Sequence, residues 1–292
     1  MPETQRPRIL LTGAGGIVGR AVHARSLAAG YEVVAIVSPS SQYRHPDVRV
    51  ADLARTLPQM RTFTHFVHLA AALPHDSRYA DDRVAGEMTS RIDDVVLSAA
   101  EQQRARILYA STCSLYNPRD PSTKTEASRD LRLDTAYRSA KFAAEQRVLT
   151  GRENVAFRIS APYGLGLFSK TVLARFVQAA RSGGKVEVWG TGSREQNFIA
   201  SDDIATFLVS AIENDASGLF NVAGETVTMR DLAKKVVKVV GAGEVEDVDK
   251  DDPLDGEVAR FSIERAVEDL SWRPKIGLCE GIRQISGVEF RS

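Results

Sequence analysis

The chain has 292 residues, enough for one large domain or two unequal lobes, and its 38 basic and 38 acidic residues leave no net charge. No block of one sign advertises nucleic acid, a membrane surface or a polyanion, so the expected partner is a small molecule. Cys113 and Cys279 lie far apart without metal-type spacing, and neither an apolar leader nor a membrane-length apolar run is visible, so the expectation is a soluble cytoplasmic protein with no disulfide and no metal.

Arg8–Thr12 reads as a buried strand, Gly16–Ala29 as a helix closed by Gly30, and Tyr31–Val37 as the next strand, which makes one βαβ unit. The turn inside it is Thr12-Gly13-Ala14-Gly15-Gly16-Ile17-Val18-Gly19, with Gly13, Gly16 and Gly19 in the best register. Glycines permit the tight turn and close backbone approach, and the helix start at Ile17 and Val18 offers unpaired N–H groups to a pyrophosphate. A glycine trio alone is weak evidence; directly after an apolar strand and at the start of a helix it points to nucleotide binding.

The second strand runs into Ser38-Pro-Ser-Ser-Gln-Tyr-Arg44, where an NAD binder usually offers a carboxylate to the ribose 2′-hydroxyl and none is present. Ser38 and Arg44 can instead receive a 2′-phosphate, which favours NADP over NAD; the bland reading is a solvated loop with Arg44 in water. Apolar runs at Val48–Ala51, Thr64–Leu69, Ile107–Ala110 and Val155–Ser160 then alternate with helical stretches at Leu53–Met60, Asp82–Gln103 and Thr135–Thr150. The fold expected from that alternation is α/β, a Rossmann-type doubly wound parallel sheet covered on both faces. His65 and His68 fall on opposite faces of their strand, so they are not a metal pair.

Residues 1–160 therefore read as a dinucleotide-binding domain, with 202–217 packing back onto it, and 161–292 mainly as a smaller lobe that shapes a substrate pocket. That lobe begins with Ala161-Pro-Tyr-Gly-Leu-Gly and continues with a helix at Thr171–Arg181 and strands at Val186–Trp189 and Asn197–Ile199. Gly183-Gly-Lys185 lacks P-loop spacing and reads as a helix C-terminal turn.

Tyr137 and Lys141 stand four residues apart in a helical stretch, so they share one face. A free tyrosine titrates near ~10, and a neighbouring ammonium would draw it toward neutrality for proton transfer. The bland alternative is an amphipathic tyrosine with a solvated lysine.

Set beside the glycine turn, Tyr137-x-x-x-Lys141 gives the chain a resemblance to the extended short-chain dehydrogenase/reductase family, the NAD(P)-dependent nucleotide-sugar epimerases, dehydratases and ketoreductases. The likeness covers nearly the whole chain: Asp52-Leu53, His68-Leu-Ala-Ala71, Ala110-Ser-Thr-Cys-Ser-Leu-Tyr116, Arg158-x-x-x-x-Tyr-Gly164, Trp189-Gly-Thr-Gly-Ser-Arg194, Asn197-Phe-Ile-x-x-Asp-Asp203, Phe220-Asn-Val-Ala-Gly224 and Trp272-Arg-Pro274. Thr112 precedes Tyr137 by 25 positions, a separation similar to the family's, and Glu126 falls in the loop where these enzymes commonly carry an acid. The resemblance implies that Tyr137 exchanges a proton with the substrate oxygen, Thr112 hydrogen-bonds that oxygen, and Lys141 lowers the tyrosine pKa while holding the nicotinamide ribose. It further implies cofactor contacts from Asp52, Leu53, Leu69, Ala70, Ala71 and Ala161. Substrate contacts would come from Thr112, Cys113, Ser114, Tyr163, Arg194 and Gln196. A homodimer would form through the helices 82–103 and 135–150.

Departures from the pattern narrow the chemistry. Cys113 and Ser114 stand where sugar-nucleotide 4,6-dehydratases carry acids, which disfavours dehydration; Cys113 as a base on a carbon acid competes with a buried, inert thiol. No asparagine occurs before Asn117, Ala161 replaces a second expected asparagine, and Gln196 replaces a diphosphate-binding arginine, with Arg194 two residues away. The expected activity is ketoreduction of a nucleotide-linked keto-sugar. The alternatives are a redox-neutral sugar-nucleotide epimerase, a reductase of a small non-nucleotide carbonyl compound, and a non-catalytic NAD(P)-binding regulator.

Overall fold

The strand-forming runs assemble into a seven-stranded parallel sheet in the order β10-β6-β5-β4-β1-β2-β3, seen in a computed structural model that describes residues 6–73, 81–167 and 169–287. Its strands are β1 (Arg8–Thr12), β2 (Glu32–Val37), β3 (Val48–Val50), β4 (His65–His68), β5 (Arg106–Thr112), β6 (Val155–Ile159) and β10 (Gly218–Val222). Alternate residues serve opposite faces, as strand geometry requires. Ile9 and Leu11 of β1 join a core completed by helices α1 (Ile17–Ala28), α5 (Ser201–Glu213) and α7 (Glu264–Leu270). Leu10 joins the other core, under α2 (Asp82–Gln103) and α3 (Ala136–Leu149), with Phe66 and Tyr109. The strand order reverses between β4 and β2, where β1 sits, and ligands of open α/β sheets bind beyond the carboxyl ends at such a point.

A third hydrophobic core forms beyond those carboxyl ends. A three-stranded sheet, β11 (Glu225–Thr228), β9 (Glu195–Ala200) and β7 (Ala161–Tyr163), and a two-stranded one, β12 (Glu244–Asp247) with β8 (Lys185–Val188), pack with α4 (Val172–Arg181), α6 (Met229–Val240) and α8 (Leu278–Ser286). Leu173, Val177, Leu232, Val236 and Ile282 fill it.

Two expectations need correction. The helix expected at Leu53–Met60 is not formed: Asp52 O accepts from the amides of Arg55 and Thr56 in a single turn, and Pro58 lacks the N–H and crowds the carbonyl four residues back. The return of the chain to the first lobe is also longer than 202–217, because β10 extends the main sheet and Ala266, Leu270 and Trp272 enter its core. Gly183 does end α4, at φ +68°, its amide bonded to Ala180 O.

Candidate active site

A cavity of about 1150 Å³ opens over the carboxyl ends of β1, β4 and β5 and runs beneath the second lobe. Every residue expected from the sequence to catalyse or to contact cofactor or substrate lines it except Arg44. The glycine turn forms one end. Gly13 sits at φ +74°, and a Cβ there would stand 2.8 Å from Ala70 N; a Cβ on Gly19 would stand 2.1 Å from Gly13 O. These two positions therefore require glycine, one for its backbone and one for the close approach of α1. No side chain caps the start of α1 at Gly16, so its first turn faces the cavity as an anion cradle that fits a dinucleotide pyrophosphate.

The loop after β2 places Ser38, Ser40 and Ser41 on the cavity. Arg44 departs from expectation: its Nη1 donates to Ser41 O at 2.6 Å and Tyr43 O at 3.0 Å, folding the guanidinium onto its own loop. Those two carbonyls engage its Nη1 and hold the side chain on the loop, off the cavity lining. Asp52 and Leu53 do line the opposite edge, with Asp52 accepting from Ala54 N and pairing with Arg55.

Lys141 is buried, 3% exposed, with its Nζ 3.9 Å from the centroid of the Tyr109 ring. Tyr109 donates to Asp93 Oδ2 at 2.9 Å, and Asp93 Oδ1 stands 2.9 Å from His68 Nε2 without well-directed hydrogen-bond geometry. His68 Nδ1 in turn lies 2.7 Å from Thr12 Oγ1, which accepts from the amides of Leu69 and Ala70 at 3.3 Å. A buried polar chain thus links the lysine to the main chain at the cofactor end. Four residues beyond Lys141, Glu145 is clasped by Arg158 through Nε (2.9 Å) and Nη2 (2.6 Å) and by Ser111 Oγ (2.5 Å), tying α3 to β5 and β6. His65 takes a separate partner, Thr64 Oγ1 at 2.8 Å, so the two imidazoles of β4 do not converge.

Tyr137 is set at the start of α3 by neighbours on α2. Asp82 accepts from the amides of Ala136 (2.6 Å) and Tyr137 (3.3 Å), Thr135 caps Arg138 N, and a Cβ on Gly86 would stand 2.6 Å from Ala136. Burial pushes the Tyr137 phenol above its ordinary value, the Asp93 carboxylate adds to the shift, and Arg138 opposes it. The expected lowering by Lys141 is therefore not found in the free chain. Burial likewise lowers the Lys141 ammonium, with Asp93 and Glu145 pulling it back up. Thr112 Oγ1 donates to Ser114 Oγ at 3.0 Å and accepts from Ser114 N at 3.1 Å, holding its hydroxyl on the cavity wall near β5's end.

Cys113 donates to Arg158 O, and burial pushes its thiol up, the environment of a packed thiol. On the second lobe Ala161 and Gln196 line the cavity from β7 and β9. Tyr163 is 2% exposed, donates to Ile276 O at 3.4 Å and abuts Gly281, so it builds the lobe's core more than a polar contact. Arg194 reaches the cavity but pairs with Asp252 at 2.8 Å. Glu126 accepts from Asn221 N at 2.7 Å and does not line the cavity. Several other residues shared with the resembled family are structural ties: Asn221 accepts from Tyr116 Oη, Asn197 clasps Gly224, and Asp203 accepts from the amides of Lys275 and Ile276. Sequence reasoning missed Asp82, Asp93, Tyr109 and Glu145; their one visible signal is polar residues at inward positions of amphipathic elements.

Comparison with known proteins agrees with this architecture. A model of the NAD dependent epimerase/dehydratase family matches residues 9–223. UDP-glucose 4-epimerase of Mycolicibacterium smegmatis is 26% identical over 97% of this chain and 98% of its own length. Among solved structures, the UDP-N-acetylglucosamine 4-epimerase of Methanobrevibacter ruminantium in complex with UDP-N-acetylmuramic acid superposes with a TM-score of 0.82 at 18% identity, covering 97% of this chain and 98% of that one. The UDP-glucose 4-epimerase of Thermus thermophilus in complex with NAD gives 0.80 at 23% identity, covering 96% and 98%. At these identities the two structural likenesses speak to the fold.

Proposed function

The chain belongs to the NAD dependent epimerase/dehydratase family and is an enzyme, and on that premise we propose that it is a nicotinamide-dependent ketoreductase acting on a nucleotide-linked keto-sugar. The observation that carries the reading is the convergence of Thr112, Tyr137 and Lys141 with the glycine cradle on one cavity.

The cradle would hold the dinucleotide's pyrophosphate at Gly13–Gly19, its adenosine between Ser38 and Asp52-Leu53, and its far ribose near Lys141. When bound, the nicotinamide supplies hydride chemistry. The residues of this chain then handle the oxygen: Thr112 hydrogen-bonds it, Tyr137 transfers a proton, and Lys141 stabilises negative charge that develops on the phenol. With burial and Asp93 holding the phenol protonated at rest, Tyr137 is in the form that donates to a ketone oxygen. We favour reduction because Cys113 and Ser114, in place of acids, supply no group for dehydration and because the loop after β2 suits NADP. We assign NADP from Ser38, Ser40 and Ser41 on the cavity edge and the lack of a carboxylate at the end of β2, without a role for Arg44.

One observation favours a second reading, reduction of a small non-nucleotide carbonyl compound: Arg194, the cation nearest the replaced diphosphate arginine in sequence, is already paired with Asp252. A homodimer through α2 and α3, which pack side by side, and a cytoplasmic setting consistent with two free cysteines complete the proposal. No helix among the described residues is long and apolar enough to cross a membrane. Following NADPH oxidation with UDP-, GDP- and dTDP-linked 4-keto-sugars, alongside thermal shifts with the bare nucleotide diphosphates, tests the reading. Turnover of one of them with stabilisation by its nucleotide is expected; turnover of small ketones alone, without nucleotide stabilisation, would replace it with the second reading.

A further inference from the structure

Outside the cavity, the loop between β2 and β3 brings two imidazoles and a carboxylate together against α1. His23 is fully buried at 0% exposed; its Nδ1 is 2.8 Å from Tyr43 Oη, while its Nε2 has no hydrogen-bond partner among the described residues. The His45 ring stands edge-on to His23 with centroids 4.8 Å apart, and His45 Nδ1 is 3.1 Å from Asp47 Oδ2. One ligand atom from each of His23, His45 and Asp47 lies within 4.8 Å of the other two. A buried imidazole nitrogen without a partner is costly, and the groups around it are a second imidazole and a carboxylate.

We propose that His23, His45 and Asp47 bind a divalent transition-metal ion of the zinc type, with water completing the coordination. Two imidazoles and one carboxylate suit zinc and its neighbours better than calcium or magnesium, which take oxygen ligands. Tyr43 supplies the outer contact that metal-bound histidines use: a proton on Nδ1 directed at the phenol oxygen leaves the Nε2 lone pair free. Arg20, 5.1 Å from the Tyr43 ring centroid, is the cation recorded against this group, and its Nε donates to Gly15 O. A bound ion would clip to α1 the loop whose Ser38, Ser40 and Ser41 line the cavity.

Titrating the tag-free, metal-stripped chain with Co²⁺, followed by visible absorption and by Zn²⁺ competition and thermal shift, tests the site without recourse to activity. Expected are saturation at one equivalent, ligand-field bands of nitrogen and oxygen ligation with no thiolate charge-transfer band, and a raised Tm with Zn²⁺. His23→Gln, His45→Gln and Asp47→Asn should abolish binding, Tyr43→Phe should weaken it about tenfold, and His65→Gln should leave it unchanged. Because His45 and Asp47 have side chains 38% and 39% exposed, their variants keep the fold even where His23→Gln does not. No saturable binding, a thiolate band, or binding undiminished in His45→Gln and Asp47→Asn would overturn the proposal.

Discussion

Lys141 Nζ stands 3.9 Å from the centroid of the Tyr109 ring, and the hydroxyl of that same ring is anchored on Asp93. The lysine is therefore placed by an aromatic platform that is itself hydrogen-bonded, and through His68 and Thr12 the platform reaches the amides of Leu69 and Ala70 on the cofactor wall.

Removing only that hydroxyl separates anchor from platform. Tyr109→Phe keeps the ring under Lys141 but leaves the buried Asp93 Oδ2 without its donor, which should cost about 1–3 kcal/mol. Urea unfolding measures that loss; Tyr109→Leu, which also removes the ring, should lower turnover further than Tyr109→Phe does.

The Glu145–Arg158 pair is buried on both sides, with side chains 0% and 3% exposed, so breaking it strands a charge. Arg158→Met alone should cost about 3–5 kcal/mol, and the combined Arg158→Met, Glu145→Leu change should recover much of that. Equal stabilities for the single and double variants would show that the pair is not a coupled unit.

At the cradle, Gly19→Ala should displace α1 from the turn, because the new Cβ would stand 2.1 Å from Gly13 O. A loss of about 1–3 kcal/mol in stability is expected from the overpacking, together with loss of NADPH binding read by fluorescence.

Stability should fall with acid through histidines kept neutral by the fold. Burial, helped by Arg106 and opposed by Asp215, pulls His65 down to about 4, and burial outweighs Asp93 in lowering His68. Both bind protons more weakly folded than unfolded, so their stabilisation is complete above ~6.5 and is lost as pH falls toward about 4. Urea midpoints near ~pH 7.5 and ~pH 5 should show that slope, and His65→Gln should flatten it.

Much of this architecture is legible in the residues because its signals are local. The first βαβ unit needs only an apolar strand, Gly13, Gly16 and Gly19, and a helix, all within thirty-odd positions, while Tyr137 and Lys141 sit one helical turn apart. What stayed hidden depends on long-range placement. Strand β10 pairs with β6, and nothing in Gly218–Val222 announces that partner. Asp93, Tyr109 and Glu145 occupy inward positions that sequence shows only as polar interruptions; α2 must meet β5 before Asp93 and Tyr109 bond, and α3 must meet β5 and β6 before Glu145 meets Ser111 and Arg158. Arg44 read as a phosphate ligand because its competitors, the carbonyls of Ser41 and Tyr43, carry no sequence signature. The turn at Asp52 shows the opposite failure, where Pro58 was visible and outweighed the helical pattern.

Proton transfer by Tyr137 beside a bound nicotinamide is the central step of the proposed reaction. The direct measurement is single-turnover reduction of the accepted keto-sugar by NADPH deuterated at the transferring position, comparing the parent chain with Tyr137→Phe. Deuterium should appear on the product carbinol carbon, and the variant should bind NADPH normally while its chemical step slows by about 10²–10⁴-fold. An unchanged rate in Tyr137→Phe, or oxidation of NADPH with no deuterium in the product, would contradict it.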